Sequence, residues 1–530
     1  MVVSAWPSEL VSSPPSLRMT AAIERIDTLF AHNARTLPNT PHLLEVSTAP
    51  YQTYAQTYER AARLARAMVA AGLAPGERVM LLTGNSRELV EIFIACAIAG
   101  AICVPVNTLS SAREVLHTAL DCTPTQLFVH AQFADRIDAQ LARHVPGLKV
   151  AIAGRIDGWL GYDEQLADHE PLAVPLREDP QDPAVMIYSS GTTGRPKGIL
   201  LTHSAIVLNA QMTQSVARYQ LADRNITLLP MFSSFGYCWD FIMPALAGSS
   251  VVILPRFDPE QAWRLVQKHQ ASILVGVPTM FARLFDPQTL QGKDISSVRL
   301  MDVGGGPVSN RLKHDLKRVH GIEIIESYGL SEISPVAAVQ IPFDEQRPGS
   351  TGPTLPGVEV KVIDEQGHSL PPNTPGELCF RSKTLMAGYW NQPEKTVEAI
   401  RDGWLHSGDI GVVDEGGHVY IRDRIKDMIV SNGFNVYPKE VENALCEHPQ
   451  VQTAAVVGVP DEIRGEVIHA FVVLKEGANV DEQDLIAHTA GLVGKHKIPR
   501  GVSFVTELPL TASGKIQRFA LREQLQRAQG

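Results

Sequence analysis

The chain has 530 residues, 44% of them hydrophobic and 20% charged, which is too long for one compact core and ordinary for a globular protein of two or more domains. Its net charge of −10 argues against a nucleic-acid binder that works through a basic surface. The six cysteines, at 96, 103, 122, 238, 379 and 446, form no CxxC pair. A reduced, cytoplasmic protein without a structural zinc site is therefore expected.

Residues 1–19 are rich in serine and proline and are expected to be a disordered extension without the basic start and apolar centre of a signal peptide. From residue 21 apolar residues recur at helical spacing. Residues 58–72 predict an amphipathic helix closed by Gly72. A strand at 76–82, a helix at 89–99 and strands at 102–106, 127–129 and 150–152 follow. Buried strands alternating with helices predict α/β layers around a largely parallel sheet. The apolar run 184–187 predicts another strand. Beyond it come a helix at 205–215, a strand at 226–229, and strands at 251–254 and 272–275 flanking a helix at 259–270. A strand at 298–302, a helix at 310–320 and a strand at 323–325 complete this part. Beyond Gly349 short strands with turns, at 359–363, 376–380 and 418–421, predict a small β-rich lobe. Charge clusters at 423–427, where the domain boundary is placed. The last hundred residues predict a small α+β unit: helix 438–447, strands 453–459 and 468–474, helix 481–493 and strand 502–505. Nothing reaches the ~18 consecutive apolar residues of a membrane span. The expected organisation is a large domain over 20–422, a boundary segment over 423–427 and a small domain over 428–530.

The most informative stretch is Tyr188-Ser-Ser-Gly-Thr-Thr-Gly-Arg-Pro-Lys-Gly198. Glycines let a loop turn several backbone N–H groups toward one place, and hydroxyls and cations add to them. Such a loop suits a polyphosphate. It is not a Walker loop, because Lys197 is followed by Gly198 rather than Ser or Thr. Four further motifs follow in order: Glu326-Ser-Tyr-Gly-Leu-Ser-Glu332, Trp404-Leu-His-Ser-Gly-Asp409, Asp423-Arg-Ile-Lys-Asp427 with the glycine-bearing segment after it, and Pro509-Leu-Thr-Ala-Ser-Gly-Lys515. Glu332 offers the hard carboxylate oxygen that a phosphate-bridging cation prefers, and Tyr328 offers a flat face for a purine.

Together these motifs resemble the adenylate-forming superfamily of acyl- and aryl-CoA ligases and luciferase-like AMP-binding enzymes, most closely the fatty-acyl-CoA synthetases. The resemblance spans 188–515 by motif and reaches back to about residue 21 by layout. It implies ATP, Mg²⁺ and coenzyme A as cofactors. Ser189, Ser190, Gly191, Thr192, Thr193, Gly194 and Lys197 are then the phosphate loop. Gly305, Gly306, Glu326, Ser327, Tyr328, Gly329 and Ser331 bind nucleotide, with Tyr328 on adenine, and Glu332 holds the metal. Asp409 accepts from the ribose hydroxyls, near Ile421 and Arg424. Lys515 reaches the acid carboxylate and the α-phosphate. Thr192, Lys197, Glu332 and Lys515 form the catalytic set. The resemblance also makes 423–427 a hinge, with Lys426 as the hinge residue, and 428–530 a mobile domain; Gly433 with Phe434 lines the path of the CoA thiol.

The acid pocket follows by resemblance from Pro230-Met-Phe-Ser-Ser-Phe-Gly236. It comprises Ser233, where many members have histidine, with Tyr237, Gly304, Gly305 and Gly306. The implied reaction converts acid, ATP and CoA to acyl-CoA, AMP and diphosphate through an acyl-adenylate. An amide ligase that passes the acyl group to an amine is the rival reading. The expected partners are the small-molecule acid, ATP and CoA, with no nucleic acid and no integral membrane segment. Assembly as a homodimer is left open.

Overall fold

A computed structural model describes residues 23–529 except 46–50, 138, 168, 190–195, 306–309, 343–346, 432–433, 462–464 and 511–515. The N-terminal extension therefore lies outside the described residues. The chain divides into two compact units. One takes the chain up to Glu359 together with Phe380–Leu405, and the other takes Val360–Cys379 and everything from His406. The strands of the β-rich lobe thus group with the C-terminal segment.

The larger unit is built on two eight-stranded sheets. The first runs in the order Val336–Val339, Glu323–Gly329, Leu300–Gly304, Ile273–Gly276, Arg224–Ile226, Ser250–Val252, Pro41–Leu44 and Gln52–Thr53. It is parallel through its middle and antiparallel at both ends. The second runs in the order Gly388–Tyr389, Lys197–Thr202, Pro183–Ser189, Ile102–Pro105, Arg78–Leu82, Gln126–His130, Lys149–Ile152 and Leu160–Gly161. Only its first two pairings are antiparallel. Parallel strands need crossover helices on their faces, so both faces of each strand are covered and the strands read as continuous apolar runs. Leu81, Leu82, Val104, Phe128 and Val129 are accordingly buried.

Helix starts follow local chemistry. Thr53 and Gln56 form a reciprocal capping box at Tyr54–Ala70, and Ser111 with Glu114 does the same at Ala112–Cys122, each satisfying N–H groups that have no partner inside the helix. The first of these helices begins four residues before the sequence expectation, because Thr53 rather than a later residue supplies the cap.

Several expected strands shift at their ends, and two of these shifts bear on the site. The strand expected at 226–229 is Arg224–Ile226. Beyond it Asn85 replaces the ladder: its Nδ2 donates to the carbonyl of Leu229 at 2.8 Å, and its Oδ1 accepts from the N–H of Met231 at 2.9 Å. The strand expected at 323–325 continues to Gly329. Its extra residues are paired on both sides, with Gly304 opposite Ser327 and Ala338 opposite Tyr328.

The second unit holds a lobe of Glu359–Ile363, Gly376–Arg381, Trp404–Val413 and Val419–Arg424, the last two paired antiparallel. It also holds a five-stranded sheet of Phe434–Val436, Ile429–Ser431, Gly465–Leu474, Val451–Asp461 and Gly501–Phe504. Helices Pro438–Cys446 and Glu482–Ala490 pack on the sheet through Val441, Leu445 and Leu485, with Ile429, Val456 and Val472 beneath them. A further helix, Arg518–Gln529, seals the other face through Leu521 and Leu525. This last helix was not expected from the sequence, since its polar residues leave few apolar positions to reveal its period. Among the described residues no helix is long and apolar enough to cross a membrane.

Candidate active site

The phosphate-loop candidates Ser190, Gly191, Thr192, Thr193 and Gly194 lie outside the described residues, as do Gly306, Gly433 and Lys515. The two ends of the loop are in place. Ser189 ends one strand, Lys197 opens the next, and the two residues pair directly. The two flanking strands therefore form an antiparallel hairpin. Its base is anchored by Tyr188, whose hydroxyl donates to Asp121 Oδ2 at 2.5 Å.

Lys197 and Glu332 are joined through a residue that the sequence reading missed. Tyr389 pairs with Ile199 on the strand that leaves the loop. Its hydroxyl donates to Glu332 Oε1 at 2.9 Å, and Lys197 Nζ lies 4.9 Å from the centre of its ring. Burial and then the Glu332 carboxylate push the Tyr389 hydroxyl above its ordinary pKa, so it remains a donor at any working pH. The segment is held from both sides. The N–H of Met386 donates to the Glu332 carbonyl at 2.8 Å, and Ala387 donates to that of Leu200 at 2.9 Å. The signal in the sequence was slight: a glycine followed by two aromatics, Gly388-Tyr-Trp390, in a segment otherwise read only as a β-rich lobe.

Three other candidate stretches meet here. Ser331 Oγ and Ser234 Oγ are 2.8 Å apart, which ties the second motif to the loop over 230–236. In that loop Ser233 Oγ donates to the Pro230 carbonyl at 2.8 Å and accepts from the N–H of Gly236 at 3.1 Å. Its hydroxyl is thus used to shape the turn. Phe235, a second residue missed, lies over Gly304, where a Cβ would meet the ring at 2.6 Å. Gly305 follows with φ +79°, a conformation that favours glycine. Tyr237 is 3% exposed and packs edge-on against Phe93 and Phe241, with ring centres 4.7 and 5.1 Å away. It belongs to an aromatic core beneath the loop.

Within the second motif the side chains differ in their use. Glu326 is buried and pairs with Lys313 at 2.6 Å. Ser327 donates to Asp302 Oδ2 at 2.8 Å. Asp302 is fully buried, and burial holds its carboxyl well above the usual range. Tyr328 keeps part of its ring exposed, 5.8 Å from Phe380. At Gly329 a Cβ would meet the Pro335 carbonyl oxygen at 1.8 Å, so no other residue can stand there without moving backbone.

The remaining candidates belong to the second unit. Asp409 and Arg424 face each other across an antiparallel pair, with Arg424 Nε 3.2 Å from Asp409 Oδ1. The turn before Asp409 is fixed by Ser407, whose Oγ donates to the Leu378 carbonyl at 2.6 Å and accepts from the Asp409 N–H at 3.0 Å. Ile421 lies opposite Gly411 on the same pair of strands. Lys426 sits in the single 3₁₀ turn Ile425–Asp427 and is exposed. The neighbouring Asp427 is within 3.7 Å of Arg518 and 3.6 Å of Arg522. Phe434 is 56% exposed, its ring 4.8 Å from that of His496.

A hairpin-borne polar loop, a lysine and a carboxylate bridged by one tyrosine, and a strand motif beside a glycine wall form one arrangement. The model of the AMP-binding enzyme family matches residues 30–390, and the model of that family's C-terminal domain matches 440–515. The chain belongs to the AMP-binding enzyme family. This AMP-binding enzyme is 35% identical over 475 residues to the indoleacetate–CoA ligase of Aromatoleum aromaticum, covering 89% of this chain and 92% of that protein. It is equally identical, over 472 residues, to a feruloyl-CoA synthase of an Amycolatopsis species, covering 89% and 93%. Among solved structures, the anthranilate CoA ligase AuaEII in complex with anthranoyl-AMP superposes with a TM-score of 0.89 at 31% identity, covering 95% of this chain and 98% of that one. The expected fold class and family membership are borne out, and the acid–CoA ligase reading agrees with all three relatives.

Proposed function

We propose that this AMP-binding enzyme joins a carboxylic acid to ATP, giving an acyl-adenylate and diphosphate, and then transfers the acyl group to the thiol of coenzyme A with release of AMP. The observation that carries the site assignment is the Lys197–Tyr389–Glu332 bridge. It couples a cation at the base of the phosphate loop to a carboxylate suited to a metal ion, as joining two anionic reactants requires.

In the first step a carboxylate oxygen bonds to the α-phosphorus and the bond to the diphosphate oxygen breaks. Lys197, Thr192 and Thr193 would hold the departing phosphates. Lys515 would bring carboxylate and α-phosphate together, Tyr328 would stack on adenine, and Asp409 with Arg424 would hold the ribose. Glu332, a hard oxygen donor next to the Ser331 hydroxyl, suits Mg²⁺; bound there, the ion would offset charge on the phosphates. In the second step the CoA sulfur bonds to the acyl carbon, AMP leaves and the thiol proton goes to solvent. We assign to Lys426 the rotation that withdraws Lys515 and brings Gly433 and Phe434 to the thiol path.

The acid is read as an apolar monocarboxylic acid, aromatic or aliphatic. The Phe235 ring against Gly304 and the absence of Lys or Arg from 230–237 support this class, as do relatives that act on indoleacetate and ferulate.

The test measures the two half-reactions separately. Lys515→Ala should lose diphosphate release yet still convert supplied acyl-AMP and CoA to thioester. Lys426→Pro should keep diphosphate release and lose thioester formation. Equal loss of both halves in both folded variants would refute the alternation, and acid-dependent AMP formation with an amine but not with CoA would refute the acceptor.

A further inference from the structure

The sequence holds no paired cysteine motif, yet the β-rich lobe gathers three different metal-ligand side chains. Glu377 and Cys379 stand two apart on the strand Gly376–Arg381, which puts them on one face. His406 reaches them from the neighbouring strand Trp404–Val413. One donor atom from each of the three lies within 4.8 Å of the others. His406 Nδ1 is 3.6 Å from Cys379 Sγ and 3.1 Å from Glu377 Oε2.

The two separations made by His406 Nδ1 match what a tetrahedral ion requires. With Zn–S of about 2.3 Å and Zn–N and Zn–O of about 2.0–2.1 Å, ligand atoms at the tetrahedral angle stand about 3.5 Å apart for S and N and about 3.3 Å apart for N and O. The carboxylate is already oriented. Its second oxygen, Oε1, accepts from the N–H of Gly408 at 3.1 Å, an outer hydrogen bond of the kind that fixes metal-binding carboxylates. Cys379 is fully buried, while the side chains of Glu377 and His406 are 20% and 15% exposed. Solvent therefore reaches the cluster through Glu377 and His406.

We propose that Glu377, Cys379 and His406 form a site for a thiophilic divalent cation of the Zn²⁺ class, distinct from the Mg²⁺ function assigned to Glu332. Thiolate and imidazole select such ions over Mg²⁺, which prefers all-oxygen shells. On binding, the Cys379 S–H loses its proton to solvent as the sulfur–metal bond forms, His406 takes the tautomer with its proton on Nε2 so that Nδ1 gives its lone pair, and Oε2 completes three protein ligands; no electron transfer is involved. The site backs the turn that carries Ser407 and Asp409.

The experiment uses the full chain stripped with a chelator and titrated with Co²⁺, then Zn²⁺. A thiolate-to-cobalt absorption band in the near ultraviolet should rise to one equivalent and vanish when Zn²⁺ displaces the cobalt. Glu377→Gln keeps the shape and the acceptor for Gly408, and should weaken binding about tenfold to hundredfold. Cys379→Ser should abolish the band, and Cys446→Ser, which removes the exposed thiol, should leave it unchanged. Circular dichroism checks folding, and Glu377→Gln keeps the test decisive if Cys379→Ser does not fold. No thiolate band in the unmodified protein, a band lost with Cys446→Ser but kept with Cys379→Ser, or unchanged affinity in Glu377→Gln would each overturn the proposal.

Discussion

Replacing Tyr389 with phenylalanine isolates the bridge on which the site assignment rests. The change removes one hydroxyl and keeps the ring, so the contact with Lys197 at 4.9 Å survives while the 2.9 Å hydrogen bond to Glu332 Oε1 is lost. A hydrogen bond to a charged group contributes about 1.5–3 kcal/mol. If that energy orients the carboxylate for its metal, its loss weakens Mg²⁺ binding about tenfold to a hundredfold. Diphosphate release should therefore need more Mg²⁺ by that factor and recover most of its rate at saturation. Tyr389→Leu also removes the ring, and with it a cation–π contact of about 0.5–2 kcal/mol. It should raise the apparent KM for ATP as well as the Mg²⁺ requirement. Glu332→Gln gives the limiting case, with a sharp fall in adenylation that extra Mg²⁺ restores only in part. An Mg²⁺ dependence unchanged in Tyr389→Phe, with folding intact, would refute the reasoning.

Gly304→Ala places a Cβ 2.6 Å from the Phe235 ring. It should shift acid preference toward smaller acids at nearly constant KM for ATP, and adding Phe235→Leu should reverse part of the shift; an unaltered acid profile would place the pocket elsewhere. Gly305→Leu is a poorer probe, since φ +79° at that position would strain any side chain by about 1–2 kcal/mol. Stability should depend on pH through His203, whose pKa is held down to about 3 by burial and then by the Arg25 charge. The unfolded chain takes up this proton near pH 6.5 and the folded chain does not. The contribution is thus complete above pH 6.5 and is lost as pH falls toward 3, at about 1.4 kcal/mol per unit. Urea unfolding of His203→Gln at pH 7 and pH 5 should therefore show a loss smaller than wild type by about 2 kcal/mol. Parallel losses would contradict the burial argument.

The sequence by itself determined the family, the α/β layering and the order of the chemical motifs. Those features are local. A strand–loop–strand with glycines and hydroxyls, or an aromatic and a carboxylate four residues apart, is written in consecutive residues, and buried parallel strands announce themselves as apolar runs. The tertiary structure alone decided what each motif side chain touches. Tyr389 lies 57 residues from Glu332 in the chain, and only strand pairing with Ile199 brings it there. Phe235 reaches Gly304 from the loop over 230–236, a contact that only the fold creates. Glu326 and Ser327 look like ligands in the motif, but Lys313 and Asp302 engage them from other elements. Tyr237, read as a pocket residue, packs with Phe93 and Phe241 because its helix faces the core. The Glu377, Cys379 and His406 cluster has the same origin. Its spacing of two and then twenty-seven residues matches no linear metal motif, and the pairing of two neighbouring strands, set by hydrogen bonds between distant segments, is what closes it.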